Sequence, residues 1–164
     1  MNDTTTAPQT SSVITHADLL KHWQGHRNLT RRLIEVFPEK EFFAFSIGGM
    51  RTAAALMKEL LSIAAPGICE MATGTPKKLE HELDPQQTKA HLLKQWDEAT
   101  DEINQYWAMI PVERFHDDIL AFGMYPGKVW SSIMYFIDNE IHHRAQAYVY
   151  LRALGIEPPA FYER

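Results

Sequence analysis

Apolar residues recur at spacings of three and four along four separate stretches of this chain, the period that a helix with one buried face requires. In the first stretch Leu19, Trp23, Leu33, Ile34 and Phe37, with Thr30 among them, predict a helix from about Thr15 to Phe37, closed by Pro38. The second runs from Met50 to Ala65, where Pro66-Gly67 ends or kinks it, a further turn continuing to about Met71. After a polar linker, Asp84 reads as an N-cap, Pro85 as the first helical residue and Gln87 as the capping-box partner of a third helix. That helix carries Leu92, Trp96, Ala99, Ile103, Trp107 and Ile110 and stops at Pro111. The fourth spans Val129 to Leu154, entered after Pro126-Gly127 and left at Gly155. The connections over 38–49 and 111–128 are longer than antiparallel neighbours need, and the second has room for a helical turn around Glu113 to Leu120. Four amphipathic helices with long first and third connections predict an all-α four-helix bundle of up-up-down-down order.

Length and charge narrow the function classes. A chain of 164 residues, 45% of them hydrophobic, is the size of one domain. We expect a disordered N-terminal tail over 1–12, rich in Thr, Ser and Pro, and a bundle domain over 13–164. The net charge is −5 and the basic residues are scattered, so there is no electrostatic footprint for nucleic acid. Cys69 is the sole cysteine, which rules out an intrachain disulfide framework and suits a reducing cytosol. No apolar run approaches the roughly 18 residues of a membrane span, and the start lacks a basic and an apolar leader region. The expected protein is soluble and cytoplasmic, with no membrane partner.

The stretch Asn139-Glu-Ile-His-His-Arg-Ala-Gln146 breaks the apolar pattern of the last helix. At about 100° per residue, Asn139 and His143 project close together, with Ser132, Gln146 and Tyr150 on the same stripe. An interior imidazole four residues from an amide is what a metal site on a bundle helix requires. A hydrogen-bonded core histidine has the same spacing, and both readings stand. Glu140 and Arg144 fall in the apolar arc beside Ile133, Ile137, Ala147 and Leu151, in the favourable order for a structural ion pair. His142 points with Asp138 to the polar side. His26 lies in the buried arc of the first helix, either a core histidine or a substitute ligand. Cys69 has no basic neighbour in sequence to activate it. No GxSxG, HExxH or GxGxxG pattern occurs.

The segment NEIHHRAQAYVYLRALGIEPP resembles the last helix of the DinB / bacillithiol-transferase-like superfamily, whose motif reads roughly H-E-I-H-H-R-G-Q. His22-Trp23 and the Gly48-Gly49-Met50-Arg51-Thr52 start of a second helix fit the same family. The resemblance implies a four-helix bundle holding a divalent metal ion, zinc or nickel, on three side chains. Carried over by position, these are Glu59 on the second helix and Asn139 and His143 on the last. The family usually has histidine at all three; here two positions offer oxygen donors instead. The implied activity is a metal-dependent S-transferase that joins a low-molecular-weight thiol to a small electrophile. The alternative is a metal-poor bundle acting as a binding or dimerisation module without catalysis. The expected partners are a small-molecule substrate and a second copy of the chain in a homodimer.

Overall fold

Thr15 opens the first helix with a full capping box. Its hydroxyl accepts from the Asp18 amide at 3.0 Å, and the Asp18 carboxylate takes the Thr15 amide at 3.1 Å. The computed structural model describes residues 13–164, so the tail expected over 1–12 lies outside the described residues. From Thr15 onward the elements are α1 (His16–Val36), α2 (Glu39–Ala44), α3 (Ala53–Thr73) and α4 (Lys89–Trp107). A 3-10 turn (Val112–His116), a hairpin of β1 (Asp118–Ala121) and β2 (Tyr125–Lys128), and α5 (Val129–Ala153) complete the fold. Among the described residues no helix is long and apolar enough to cross a membrane.

The four long helices of the expected bundle are present, with differences at their ends. The long connection over 38–49 contains the short helix α2, and Phe42 buries it against Phe37. Helix α3 starts at Thr52, which caps the Ala55 amide, and runs through Pro66 to Gly74 at φ 72°. Its second half stays helical because Ala64, Ala65, Ile68 and Met71 are all buried, and that packing outweighs the one backbone bond proline forfeits. Asp84 is not an N-cap. Its carboxylate takes the Gln86 amide at 2.8 Å and its carbonyl the Gln87 amide at 2.9 Å, a turn with proline at its second position. The true cap of α4 is Thr88, which accepts from His91. The helical turn expected around Glu113 to Leu120 is the 3-10 turn over Val112–His116, and the chain then enters the hairpin, which pairs Asp118 with Lys128 and Ala121 with Tyr125.

The order of helix directions also corrects the up-up-down-down expectation. One core cluster joins Trp23 of α1, Met71 of α3, Trp107 of α4 and Ile133 of α5. The other joins Leu33 of α1, Met57 of α3, Leu92 of α4 and Leu151 of α5. Helices α1 and α5 therefore run one way and α3 and α4 the other, an up-down-down-up bundle. The linker 74–88 is the one that travels the bundle's length, with Leu79 packed on the first cluster and Leu83 on the second. The two longer connections only turn back, their length used by α2 and by the hairpin.

A polar network crosses the middle of the bundle between these clusters. Glu140 accepts from Trp23 Nε1 at 3.2 Å and from Thr30 Oγ1 at 2.6 Å. Arg27 and Arg144 approach its two oxygens at 3.9 and 3.7 Å. Arg27 also lies 3.7 Å over the Trp96 ring and donates to the Trp96 carbonyl at 2.9 Å, tying α4 to α1. Arg144 donates to the His26 carbonyl and to His26 Nδ1 at 3.2 and 2.8 Å. The expected pairing of Glu140 with Arg144 is thus one edge of a larger network.

Two stability outcomes follow from this packing. Arg144→Ala is expected to cost about 3–5 kcal/mol, because it strips a buried carboxylate of a partner. His142→Ala, on the exposed face, should stay within about 0.5 kcal/mol. Denaturant midpoints compare the two, and equal midpoints would contradict the network. Gly67→Ala places a Cβ 2.5 Å from Phe136 Cζ, so overpacking of about 1–3 kcal/mol should exceed the helix-propensity gain of about 1 kcal/mol. A thermal shift upward in that variant would show that Phe136 can move aside.

Candidate functional site

Helices α3 and α5 are antiparallel, so residue 51 faces 150, residue 59 faces 143, and residue 67 faces 136. This brings the three expected site residues together. His143 Nε2 lies 3.0 Å from Glu59 Oε1, and Asn139 Nδ2 donates to the same oxygen at 3.4 Å. Asn139 and His143 are buried, 8% and 5% exposed, and the Glu59 side chain is 15% exposed. Arg51, just ahead of α3, pairs with the other carboxylate oxygen, Oε2. Tyr150 donates to the Arg51 carbonyl at 2.8 Å and so fixes the segment that carries the guanidinium. Burial pushes the Glu59 carboxyl up, but hydrogen bonds from Arg51 and His143, and their charge, leave it below its ordinary value.

The donor pattern around His143 bears on whether these residues suit a metal ion. Its Nδ1 lies 2.8 Å from Gln146 Oε1, while Gln146 Nε2 is turned to His142 at 3.2 Å. With Gln146 Oε1 facing it, Nδ1 carries a hydrogen and Nε2 of a neutral ring has only a lone pair; with the amide turned end for end, Nδ1 accepts and Nε2–H donates to Glu59. In the first arrangement the lone pair faces a carboxylate oxygen at 3.0 Å. Two acceptors are then in contact and need a cation between or upon them, either a proton on Nε2 or a metal ion; in the second the pair is already satisfied. Donors on a tetrahedral ion with bonds of about 2.0–2.1 Å sit about 3.3–3.4 Å apart, close to the two distances that Glu59 Oε1 makes to His143 and Asn139. A half-turn of the Asn139 amide presents Oδ1 in place of Nδ2. The residues thus fit a divalent ion, with Gln146 fixing the ring as outer partners of ligating histidines do. Among the described residues no three His, Cys, Asp or Glu side chains cluster at metal-binding spacing; a third donor to an ion here would be the Asn139 amide.

Glu59 also lines a cleft of about 430 Å³ between α3, the 74–88 linker, the hairpin and α5. Its walls include Ile63, Leu79, Phe122 and Phe136, and its polar groups include His81, Ser132 and Tyr135. Burial and the Glu59 charge push the Tyr135 phenol up, which keeps it a neutral hydrogen-bond donor. A profile of the DinB family matches residues 1–164. The chain belongs to the DinB family.

Solved structures share the DinB fold at low sequence identity. A DinB-like protein from Bacillus subtilis is 18% identical, with a TM-score of 0.69 over 89% of this chain and 99% of that one. A DinB-like protein from Bacillus cereus is 15% identical, with a TM-score of 0.72 over 88% and 95%. A mutant of the mycothiol-dependent maleylpyruvate isomerase is 11% identical, with a TM-score of 0.59 over 80% of this chain and 60% of that chain. No curated protein sequence matches this chain significantly.

Other singled-out residues fall outside this DinB cluster. His26 belongs to the Glu140 network, with Nδ1 accepting from Arg144 and Nε2 3.2 Å from His22, so the core reading holds. Burial above all, then the charges of Arg144 and Arg164 and the His22 ring, lower its pKa to about 3. Cys69 is buried beside Tyr106. Arg51 and His81 were not assigned from sequence. Arg51 reaches Glu59 from ahead of α3 and His81 reaches Ser62 from the linker, so neither partnership lies within one helix.

The depressed His26 value fixes a pH dependence. Unfolded, the ring binds its proton near 6.5; folded, it stays neutral down to about 3, so acid favours the unfolded chain. Relative to His26→Gln, the wild type should lose stability as pH falls from 6.5 towards about 3. Parallel pH–stability curves for the two proteins would mean that His26 is protonated in the folded state.

Proposed function

We propose that this DinB-family chain holds a divalent metal ion on Glu59, Asn139 and His143 and joins a low-molecular-weight thiol to a small electrophile. The observation that carries the reading is the convergence of His143 Nε2 and the Asn139 amide on Glu59 Oε1, at 3.0 and 3.4 Å, at the edge of a cleft. The thiol dependence named for the maleylpyruvate isomerase, a fold neighbour, is of the same chemical class. A bound divalent ion lowers the pKa of a thiol that coordinates it and so supplies thiolate near neutral pH. The chain's own residues prepare the place. Gln146 sets the His143 tautomer, Arg51 occupies Glu59 Oε2 and leaves Oε1 inward, and Phe122 and Phe136 keep one side of the cleft apolar. Two oxygen donors and one nitrogen donor accept several divalent ions, zinc and nickel among them, without the grip of three imidazoles.

A second reading rests on Arg51. Its guanidinium already balances the Glu59 charge, so a proton on His143 would complete the cluster. The bundle would then act as a binding or dimerisation module without catalysis.

Metal content of the purified protein separates the two. The first reading expects near-stoichiometric divalent metal by elemental analysis and loss of most of it in His143→Ala, with the bundle still folded. Unchanged content in that variant would place the metal elsewhere. Glu59→His combined with Asn139→His should raise zinc affinity, because imidazoles replace weaker donors at positions that already converge. Competition with a chromophoric chelator reads this. No gain in a folded double variant would reject the three-residue centre.

A further inference from the structure

The cleft contains a histidine that the Glu59 cluster does not use. His81 lies in the linker between α3 and α4, with Nδ1 2.7 Å from Ser62 Oγ. Ser62 Oγ in turn lies 2.8 Å from the Glu59 carbonyl oxygen. A carbonyl oxygen only accepts, and a serine hydroxyl has a single proton to give. With that proton directed to Glu59, Ser62 can only accept from His81. Nδ1 therefore carries the hydrogen of the neutral ring, and Nε2 keeps its lone pair. No hydrogen-bond partner for Nε2 is found among the described residues.

The walls of the cleft say what that lone pair would meet. No Lys or Arg lines them, and the charged group that does is the Glu59 carboxylate. Without a bound cation, an anionic nucleophile entering there would lose hydration without gaining a counter-charge. A neutral one enters freely and needs a base. We propose that His81 is that base, taking the proton of a small neutral thiol bound in the cleft. The S–H bond breaks, its electron pair stays on sulfur, and the proton goes to Nε2, leaving an imidazolium whose Nδ1–H still bonds Ser62. No oxidant or further reactant is needed. Ser62 is a positioning residue: it acts through the His81 tautomer and not on the thiol. The inference rests on the small-molecule reading of the cleft and not on the metal.

Two measurements on the intact protein test it. Long-range nitrogen–proton NMR should find neutral His81 as the Nδ1–H tautomer, and Ser62→Ala should remove that preference. Phenacyl bromide, an aromatic alkylating probe suited to apolar walls, reads the free nitrogen: Nε2 bonds to carbon as bromide leaves. Mapped by mass spectrometry, His81 should react at least about tenfold faster than the exposed His91 and His116, since the cleft holds the probe beside the nitrogen. That excess should be lost in Ser62→Ala. An Nε2–H tautomer in the wild type, or alkylation no faster than at His91 and His116, overturns the assignment. Both readouts are taken without added metal, so failure of the metal centre leaves them unchanged.

Discussion

The Glu140 carboxylate, buried among two arginines, a tryptophan and a threonine, is the interaction on which the arrangement of the helices depends. It joins α5 to α1 through Trp23 and Thr30, and Arg27 extends the tie to α4 through Trp96 and Thr100. Two guanidinium groups share one carboxylate here, and His26 stays neutral to accept from Arg144. Such a network contributes little net stability against an apolar core of equal volume, because each charge has lost its water. Its effect is on alignment. Sliding α5 along α1 would leave a buried carboxylate and two buried cations unmatched, a cost no apolar contact imposes. Asn139 and His143 each precede a network residue by one position, about 100° round the same helix. Fixing Glu140 and Arg144 against α1 therefore fixes Asn139 and His143 against α3.

The cleft beside that cluster is walled on one side by the least regular part of the chain. Glu70, near the end of α3, accepts the Phe122 amide on both carboxylate oxygens at 3.1 and 3.2 Å and the Lys77 amide at 3.0 Å. One side chain thus anchors both the hairpin and the linker. Phe122 has a φ of 54°, an unusual value for a residue with a bulky side chain. The two bonds to Glu70 and the packing of its ring on Phe136 hold it there. Gly67 completes the fit, since any Cβ would collide with the Phe136 ring. The hairpin and the linker stay in place by a few long-range contacts and not by propensity, which lets an irregular wall face a rigid bundle.

This division accounts for what could be read from the sequence. The long helices repeat their buried face every three or four residues, so Leu92, Trp96, Ala99, Ile103 and Trp107 announced α4 and are all buried in it. The hairpin could not be read that way. Its strands are four residues each, and Pro126 and Gly127 in β2 argue against a strand by propensity. The Asp84-Pro85 signal was real but ambiguous, because the residues that cap a helix also make a turn, and only the Thr88 cap three residues on distinguishes them. Connection length does not give helix direction here, because α2 and the hairpin use their length in place and the shorter 74–88 linker travels along the bundle. In the site, Asn139 and His143 were visible as a stripe on one helix. Glu59 came only by likeness to the family, and Arg51 and His81 are defined by tertiary neighbours alone.

On the proposed metal reading, Glu59 and Asn139, at positions where the resemblance implies histidine, would change the charge of the cluster more than its geometry. Three neutral imidazoles add no charge to a divalent ion, whereas a carboxylate, an amide and an imidazole subtract one positive unit. A centre with less positive charge would acidify a bound thiol less. Arg51 offsets that difference: on Glu59 Oε2 it restores the missing unit while staying off the oxygen that faces His143. The guanidinium is half exposed, so water screens part of its field, and the restoration is incomplete. A base that does not depend on the cluster's charge then matters more, and the Ser62-held imidazole of His81 stands in the same cleft. On the two proposals together, substitutions that would weaken one way of making a thiolate would leave the other untouched.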